Sequence, residues 1–237
     1  LKVTSIIKFL QAIQDNHSDQ VYRGQACENW SLIPSIARVK HIDLPTQYTN
    51  GWRGLESDLM SRFKKHAVRF LNKESSSEID WMIQAQHHGV PTRLLDWSTN
   101  PLKALYFAIE NLNHDDSDGV VFVFFPPTWR VSSKDVETNE KSLIAFRPYF
   151  INERVASQDG CFTLFPFPTD EEKDSIEAMK NGFTSQNEVV SMQKIIIDKD
   201  SKDKLRSELK NLGITDVAIF PDLDGVAKSI RREFGCL

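Results

Sequence analysis

Between Gln86 and Ala108 the chain reads Gln-His-His-Gly-Val-Pro-Thr-Arg-Leu-Leu-Asp-Trp-Ser-Thr-Asn-Pro-Leu-Lys-Ala-Leu-Tyr-Phe-Ala, the stretch richest in chemically able side chains. His87, His88, Thr92, Arg93, Asp96, Trp97, Ser98 and Thr99 are interleaved with Leu94 and Leu95. A short apolar element that carries so many polar groups must give them partners or a task, because unpaired burial is costly.

Each group has two readings. Arg23 precedes Gly24, so a guanidinium fork could hold a phosphate or carboxylate while glycine lets the ligand approach the backbone. Equally, Arg23 could be tied in a salt bridge to Asp96 or Asp222. His87 and His88 fall in a last helical turn, where the carbonyl end of the dipole favours a cationic imidazole. On a helix they point about 100° apart, so at most one faces a given ligand. Thr92, Arg93 and Asp96 could form a scaffold that offers the Trp97 ring for stacking, or a rigid turn pinned by an Arg93–Asp96 contact with Trp97 in the core. Gln158 can read an amide or hydroxyl, and Gly160 beside it suits a tight turn. A metal would need His87 or His88 with Asp96, or the pair Asp222 and Asp224, at spacings unlike the usual helical ligand pairs. No metal is expected, and a metal-dependent hydrolase or nuclease ranks third among the readings.

The elements that must position these groups follow from periodicity. Apolar spacing predicts helices over Val3–Ile13, Leu55–Leu71, Ser77 to the stop at Gly89, Pro101–Leu112, Ser201–Leu212 and onward from Leu223. Strands are expected at Val21–Gly24, Lys194–Asp198, Val217–Phe220 and, as an unbroken central run, Gly119–Phe125. Thr46–Gly54 and Ser132–Ser142 read as loops, Arg154–Phe165 as a turn between extended pieces, and Asp170–Gly182 as an acidic, helical insertion. The pattern lacks regular strand–helix alternation and repeats. It predicts one α+β domain over residues 1–237, a mixed, partly antiparallel sheet flanked by helices, with helical parts near 1–15 and 55–89 and an insertion within 130–185.

Composition sets the outer bounds. At 237 residues, 40% of them hydrophobic and 15 phenylalanine, the chain can fill a sizeable core. A net charge of −4 argues against a dominant nucleic-acid footprint, and the basic run Arg62–Arg69 reads as the solvated face of a helix, so nucleic acid stays open only as a local contact. Cys27, Cys161 and Cys236 form no paired spacing, which points to a reducing, cytoplasmic setting, and no apolar run reaches membrane-span length.

Four blocks together resemble the FRG domain, a family named for a Phe/Tyr-Arg-Gly motif: Tyr22-Arg23-Gly24-Gln25, Gln86–Ala108, Arg154–Phe162 and Phe220–Gly225. The resemblance spans nearly the whole chain and leaves the reaction open. A weaker one, to ADP-ribosyltransferases, follows the order Arg23-Gly24, then Ser98-Thr99 before a helix, then Gln186-Asn187-Glu188; Asp96-Trp97-Ser98-Thr99 lacks that family's second serine. This second resemblance implies an ADP-ribosyltransferase-like fold, NAD as substrate and a macromolecular acceptor. It implies that Arg23 anchors phosphate or ribose, that Ser98 and Thr99 shape the pocket, and that Glu188 serves the chemistry; beside it, Arg23 and His88 are taken as candidate catalytic groups. Glu188 would hold a ribose hydroxyl and stabilise an oxocarbenium-like centre. Gly24, Gln25, His87, Thr92, Arg93, Trp97 and Gln158 complete the expected binding site. The rival reading is a non-catalytic module for a nucleotide, nucleic acid or protein.

Overall fold

An apolar run that leaves no polar face belongs inside a sheet, and Gly119–Phe125 (β4) lies there, buried along nearly all its length. The computed structural model describes residues 2–15, 19–39, 50–70, 77–127, 129–130, 132–138, 141–148, 152–170, 174–183, 188–189 and 191–236, without the side chains of Phe183 and Glu188. On one side β4 pairs antiparallel with Ser191–Ile197 (β10), and on the other with Val21–Gln25 (β2). Lys2–Val3 (β1), Leu94–Ser98 (β3), Trp129–Arg130 (β5), Ile144–Phe146 (β6) and Gly160–Leu164 (β7) complete eight strands in the order β1-β10-β4-β2-β3-β7-β6-β5. The outermost pairs, β1 with β10 and β5 with β6, are parallel and the remainder antiparallel, so the sheet is mixed and open and the fold is α+β as expected. Gly182–Phe183 (β8) and Glu188–Val189 (β9) form a separate two-stranded ladder.

The ladder between β2 and β3 registers a single pair, Tyr22 opposite Ser98, whereas β2 pairs with β4 over five residues. Past that pair the two strands part. The sheet is thus split along its length.

Among the described residues eight α-helices cover the faces: Ile6–Ile13 (α1), Gly51–Ala67 (α2), Glu78–His87 (α3), Pro101–Ile109 (α4), Glu153–Ser157 (α5), Lys202–Asn211 (α6), Asp216–Ile219 (α7) and Leu223–Glu233 (α8). Ala104, Leu105, Ala108 and Ile109 of α4 pack with Tyr22, Val121, Val123, Ile195 and Ile197 on one sheet face. Val21, Leu95, Trp97, Phe122 and Phe124 on the opposite face meet Leu32, Trp52 and Leu55. A third cluster sets Ile79, Met82 and Ile83 of α3 against Leu94, Phe146, Phe162 and Leu164.

Local capping explains most boundaries. Ser77 opens α3 by accepting from the Asp80 amide at 3.1 Å, as its sequence predicts, and Asn100 with Pro101 opens α4. Several expected elements are corrected. Val3, expected in the first helix, lies in β1, and α1 begins only at Ile6, after Ser5 caps it. Val217–Phe220 is not a strand: Thr215 accepts from the Ala218 amide at 3.2 Å and starts α7. Arg154–Gln158 is not a turn: Asn152 accepts from the Val155 amide at 2.8 Å and winds α5. Helix α2 begins at Gly51, inside the expected loop, with residues 46–49 outside the described set. Of the acidic insertion, described residues 174–180 form neither helix nor strand, and Ser133–Asp135 in the charged loop is a short 3-10 turn. Among the described residues no helix is long and apolar enough to cross a membrane.

Candidate functional site

The split in the sheet opens into a cleft of about 370 Å³. Tyr22, Arg23 and Gly24 of β2 form one lip, and Asp96, Trp97 and Ser98 of β3 the other. Gln86 and His87 at the end of α3 enter from one side, while Arg154 and Gln158 of the α5 turn and Phe220 close the other.

Across the gap the Arg23 guanidinium takes over where backbone pairing stops, donating to the main-chain carbonyl of Asp96 at 2.7 Å and standing 3.6 Å from its carboxylate. Its Nε is buried without an acceptor among the described residues. Burial pulls the guanidinium below its ordinary value, Asp96 pulls the other way, and Arg38 adds to the lowering. The Asp96 carboxylate is held by Gln86, whose Nε2 donates at 2.6 Å, and Gln86 Oε1 accepts from the fully buried Thr92 hydroxyl. The expected Arg23–Asp96 contact is present. An Arg93–Asp96 contact is not.

Arg93 instead turns away from the cleft, wholly buried, and bonds both oxygens of Glu56 at 2.8 and 3.0 Å, with Phe167 stacked 3.6 Å from its guanidinium carbon. Trp97 belongs to the core: it is 3% exposed, packs on Phe124 and donates its indole N–H to Thr163 at 3.0 Å. Ser98 donates to the Gln158 carbonyl at 2.7 Å, and Thr99 is tied through its amide to the Asp159 carbonyl at 2.9 Å, so both clamp β3 to the α5 turn. Gln25 is buried and, like Thr92, Arg93 and Thr99, is not among the residues that line the cleft.

The histidines separate as their angular offset requires. His87 borders the cleft; His88 is exposed and lies beside Phe63 in an apolar groove with Leu59 and Val90. The cationic imidazole expected from the helix dipole is overturned for His87. Burial pushes its pKa below the ordinary 6.5, Arg154 and His88 push the same way, and Asp222 and Asp224 oppose them. We expect NMR titration to place the His87 midpoint below 6.5. Because the unfolded chain then binds the proton more readily, stability is full above about pH 6.5 and falls as pH drops through the folded-state value. His87→Gln removes that part of the acid sensitivity, and a midpoint above 6.5 contradicts the assignment.

Gly24 serves a different neighbour from the one its sequence suggests. A Cβ at this position would lie 2.6 Å from the Ala108 amide nitrogen and closer still to the Ala104 carbonyl, so the missing side chain admits the backbone of α4. Sequence reasoning passed over Gln86 and Arg154. Arg154 sits 4.5 Å from the centroid of Phe220 and has no ion-pair carboxylate among the described residues. Its spacing of four from Gln158 would have linked the two, had the five-residue α5 been legible. Glu188 lies by its backbone in β9, and no residue of that ladder is among the described residues lining the cleft; Gln186 and Asn187 fall outside the described set. Among the described residues no group of three His, Cys, Asp or Glu side chains is placed to hold a metal ion.

Fold and site define an α+β protein with a cleft of mixed polar and apolar lining at a divided sheet, built from segments far apart in the chain. The FRG domain family model matches residues 18–117, and this part of the chain is an FRG domain. It contributes Arg23, Gln86, His87, Asp96 and Ser98, while Arg154, Gln158 and Phe220 come from beyond it. No curated protein and no solved structure matches the chain.

Proposed function

We propose that the cleft binds an anionic small molecule of the nucleotide class, that NAD is this ligand, and that the reaction is transfer of its ADP-ribose group. The observation that carries the reading is convergence. Arg23, Gln86, His87, Asp96, Arg154, Gln158 and Phe220, scattered along the chain, meet around one cavity. Arg154 offers a cation free of carboxylate partners among the described residues, Arg23 offers a buried Nε without an acceptor, and Tyr22, Phe107 and Phe220 supply walls for a flat ring. The cysteines stay unpaired, which supports a reducing, cytoplasmic setting.

Isothermal titration is expected to detect NAD binding by the wild-type chain. Arg154→Ala should weaken it by about 10- to 100-fold, the scale of one charge-assisted hydrogen bond lost. A folded wild-type chain that takes up no NAD ends the reading. One observation favours a second reading, a non-catalytic nucleotide-binding module: the β8–β9 ladder that carries Glu188 adds no described residue to the cleft lining. NAD binding without nicotinamide release or labelling of any acceptor selects that alternative.

A further inference from the structure

We infer that Asp96 is the catalytic carboxylate of the cleft, the group that faces the ribosyl centre when the glycosidic bond of NAD breaks; the inference rests on the NAD reading above.

Among the described residues two carboxylates line the cleft, Asp96 and Glu110. Glu110 is neutralised in place, with Lys228 at 2.5 Å and Arg232 at 3.7 Å from the same oxygen. Asp96 has one longer ion pair, Arg23 Nη1 at 3.6 Å from Oδ2, and its side chain is 55% exposed. It is nevertheless held at two points. Gln86 donates to Oδ1 at 2.6 Å and is itself fixed by the buried Thr92 hydroxyl, while Arg23 grips the Asp96 carbonyl at 2.7 Å. A carboxylate has roughly four acceptor positions, so the bond to Oδ1 and the longer Arg23 pairing at Oδ2 leave acceptor capacity open on an exposed side chain in the cleft lining. A plain structural anchor needs neither the exposure nor the chain of supports running back to Thr92. Preorganised negative charge of this kind stabilises positive charge that develops in a transition state.

The step is as follows. The bond between ribose C1′ and the nicotinamide nitrogen breaks, and its electron pair leaves with nicotinamide. Positive charge appears on C1′ and the ring oxygen, and Asp96 lies against it while accepting a hydrogen bond from the 2′-hydroxyl. Water, or a nucleophilic group of the acceptor, then adds to C1′ and gives up a proton. With water the products are ADP-ribose, nicotinamide and one proton.

The test measures nicotinamide release and, separately, NAD affinity. Asp96→Asn is expected to lower release by about 10²–10³-fold and to change affinity less than about threefold, since an amide retains most ground-state contacts. Asp96→Glu displaces the carboxylate by one methylene and is expected to keep part of the activity, about 10- to 100-fold below wild type. Wild-type release from a folded Asp96→Asn chain overturns the role of Asp96 and leaves the NAD reading standing. No binding or release by the wild type overturns both. Where Asp96→Asn fails to fold, Asp96→Glu decides, and release equal to wild type overturns the proposal.

Discussion

Gly24→Ala is expected to lose more than about 3 kcal/mol of stability, beyond the usual range for overpacking, because the added methyl meets main chain and not a side chain that can move. Strand β2 crosses α4 so closely that the Ala104 carbonyl and the Ala108 amide occupy the space of a Cβ. Relief would require α4 to lift from β2, and with it Ala104, Leu105 and Ala108 from the cluster around Tyr22 and Val121. Against a total stability of about 5–15 kcal/mol for a domain, that loss is severe. Thermal denaturation followed by circular dichroism should show a midpoint lowered by at least about 6–12 °C. Ala104→Gly should not rescue it, because the obstructing atoms are backbone. A Gly24→Ala chain within 0.5 kcal/mol of wild type, on the order of a neutral surface change, would show that the strand and helix separate freely.

Glu56→Ala is the second large effect. Arg93 is fully buried, and its charge is balanced by Glu56 alone among the charged groups it bonds; its other partners are the carbonyls of Phe165 and Thr138. Removing Glu56 strands a guanidinium away from water, at a cost of about 3–5 kcal/mol. The pair spans α2 and the start of β3, so its loss also loosens the strand that carries Asp96. Urea unfolding should report the shift. The double variant Glu56→Leu, Arg93→Met is expected to recover most of it, since a buried apolar pair of similar volume needs no charge compensation. If Glu56→Ala unfolds at the wild-type urea midpoint, the pair carries no weight.

How far the sequence led depended on the reach of each signal. The unbroken apolar run of β4, the helix start at Ser77 and the Asn100-Pro101 opening are local, and all three elements formed where residue type and spacing placed them. The short helices α5 and α7 escaped. With five and four residues they are too brief to display a helical period, and a single capping side chain decides each. Ion-pair choice was likewise out of reach: Arg93 stands three residues from Asp96 yet takes Glu56, thirty-seven positions back, because it lies in the bend before β3 and turns its guanidinium toward α2. For the site, Arg23, Gly24, His87, Trp97, Ser98 and Gln158 border one cleft, while Gln25, His88, Thr92, Arg93 and Thr99 lie away from its surface. The split between β2 and β3, which creates the cavity, left no mark in composition or periodicity.

That single rung between Tyr22 and Ser98 makes the sheet two slabs hinged on a narrow seam, with the Arg23–Asp96 bond as a latch. A molecule seated in the gap touches both slabs and acts as a strut, so occupancy converts directly into stiffness. Amide protons along the seam should exchange more slowly with the cleft filled, a mechanical signature that needs no knowledge of the chemistry performed there.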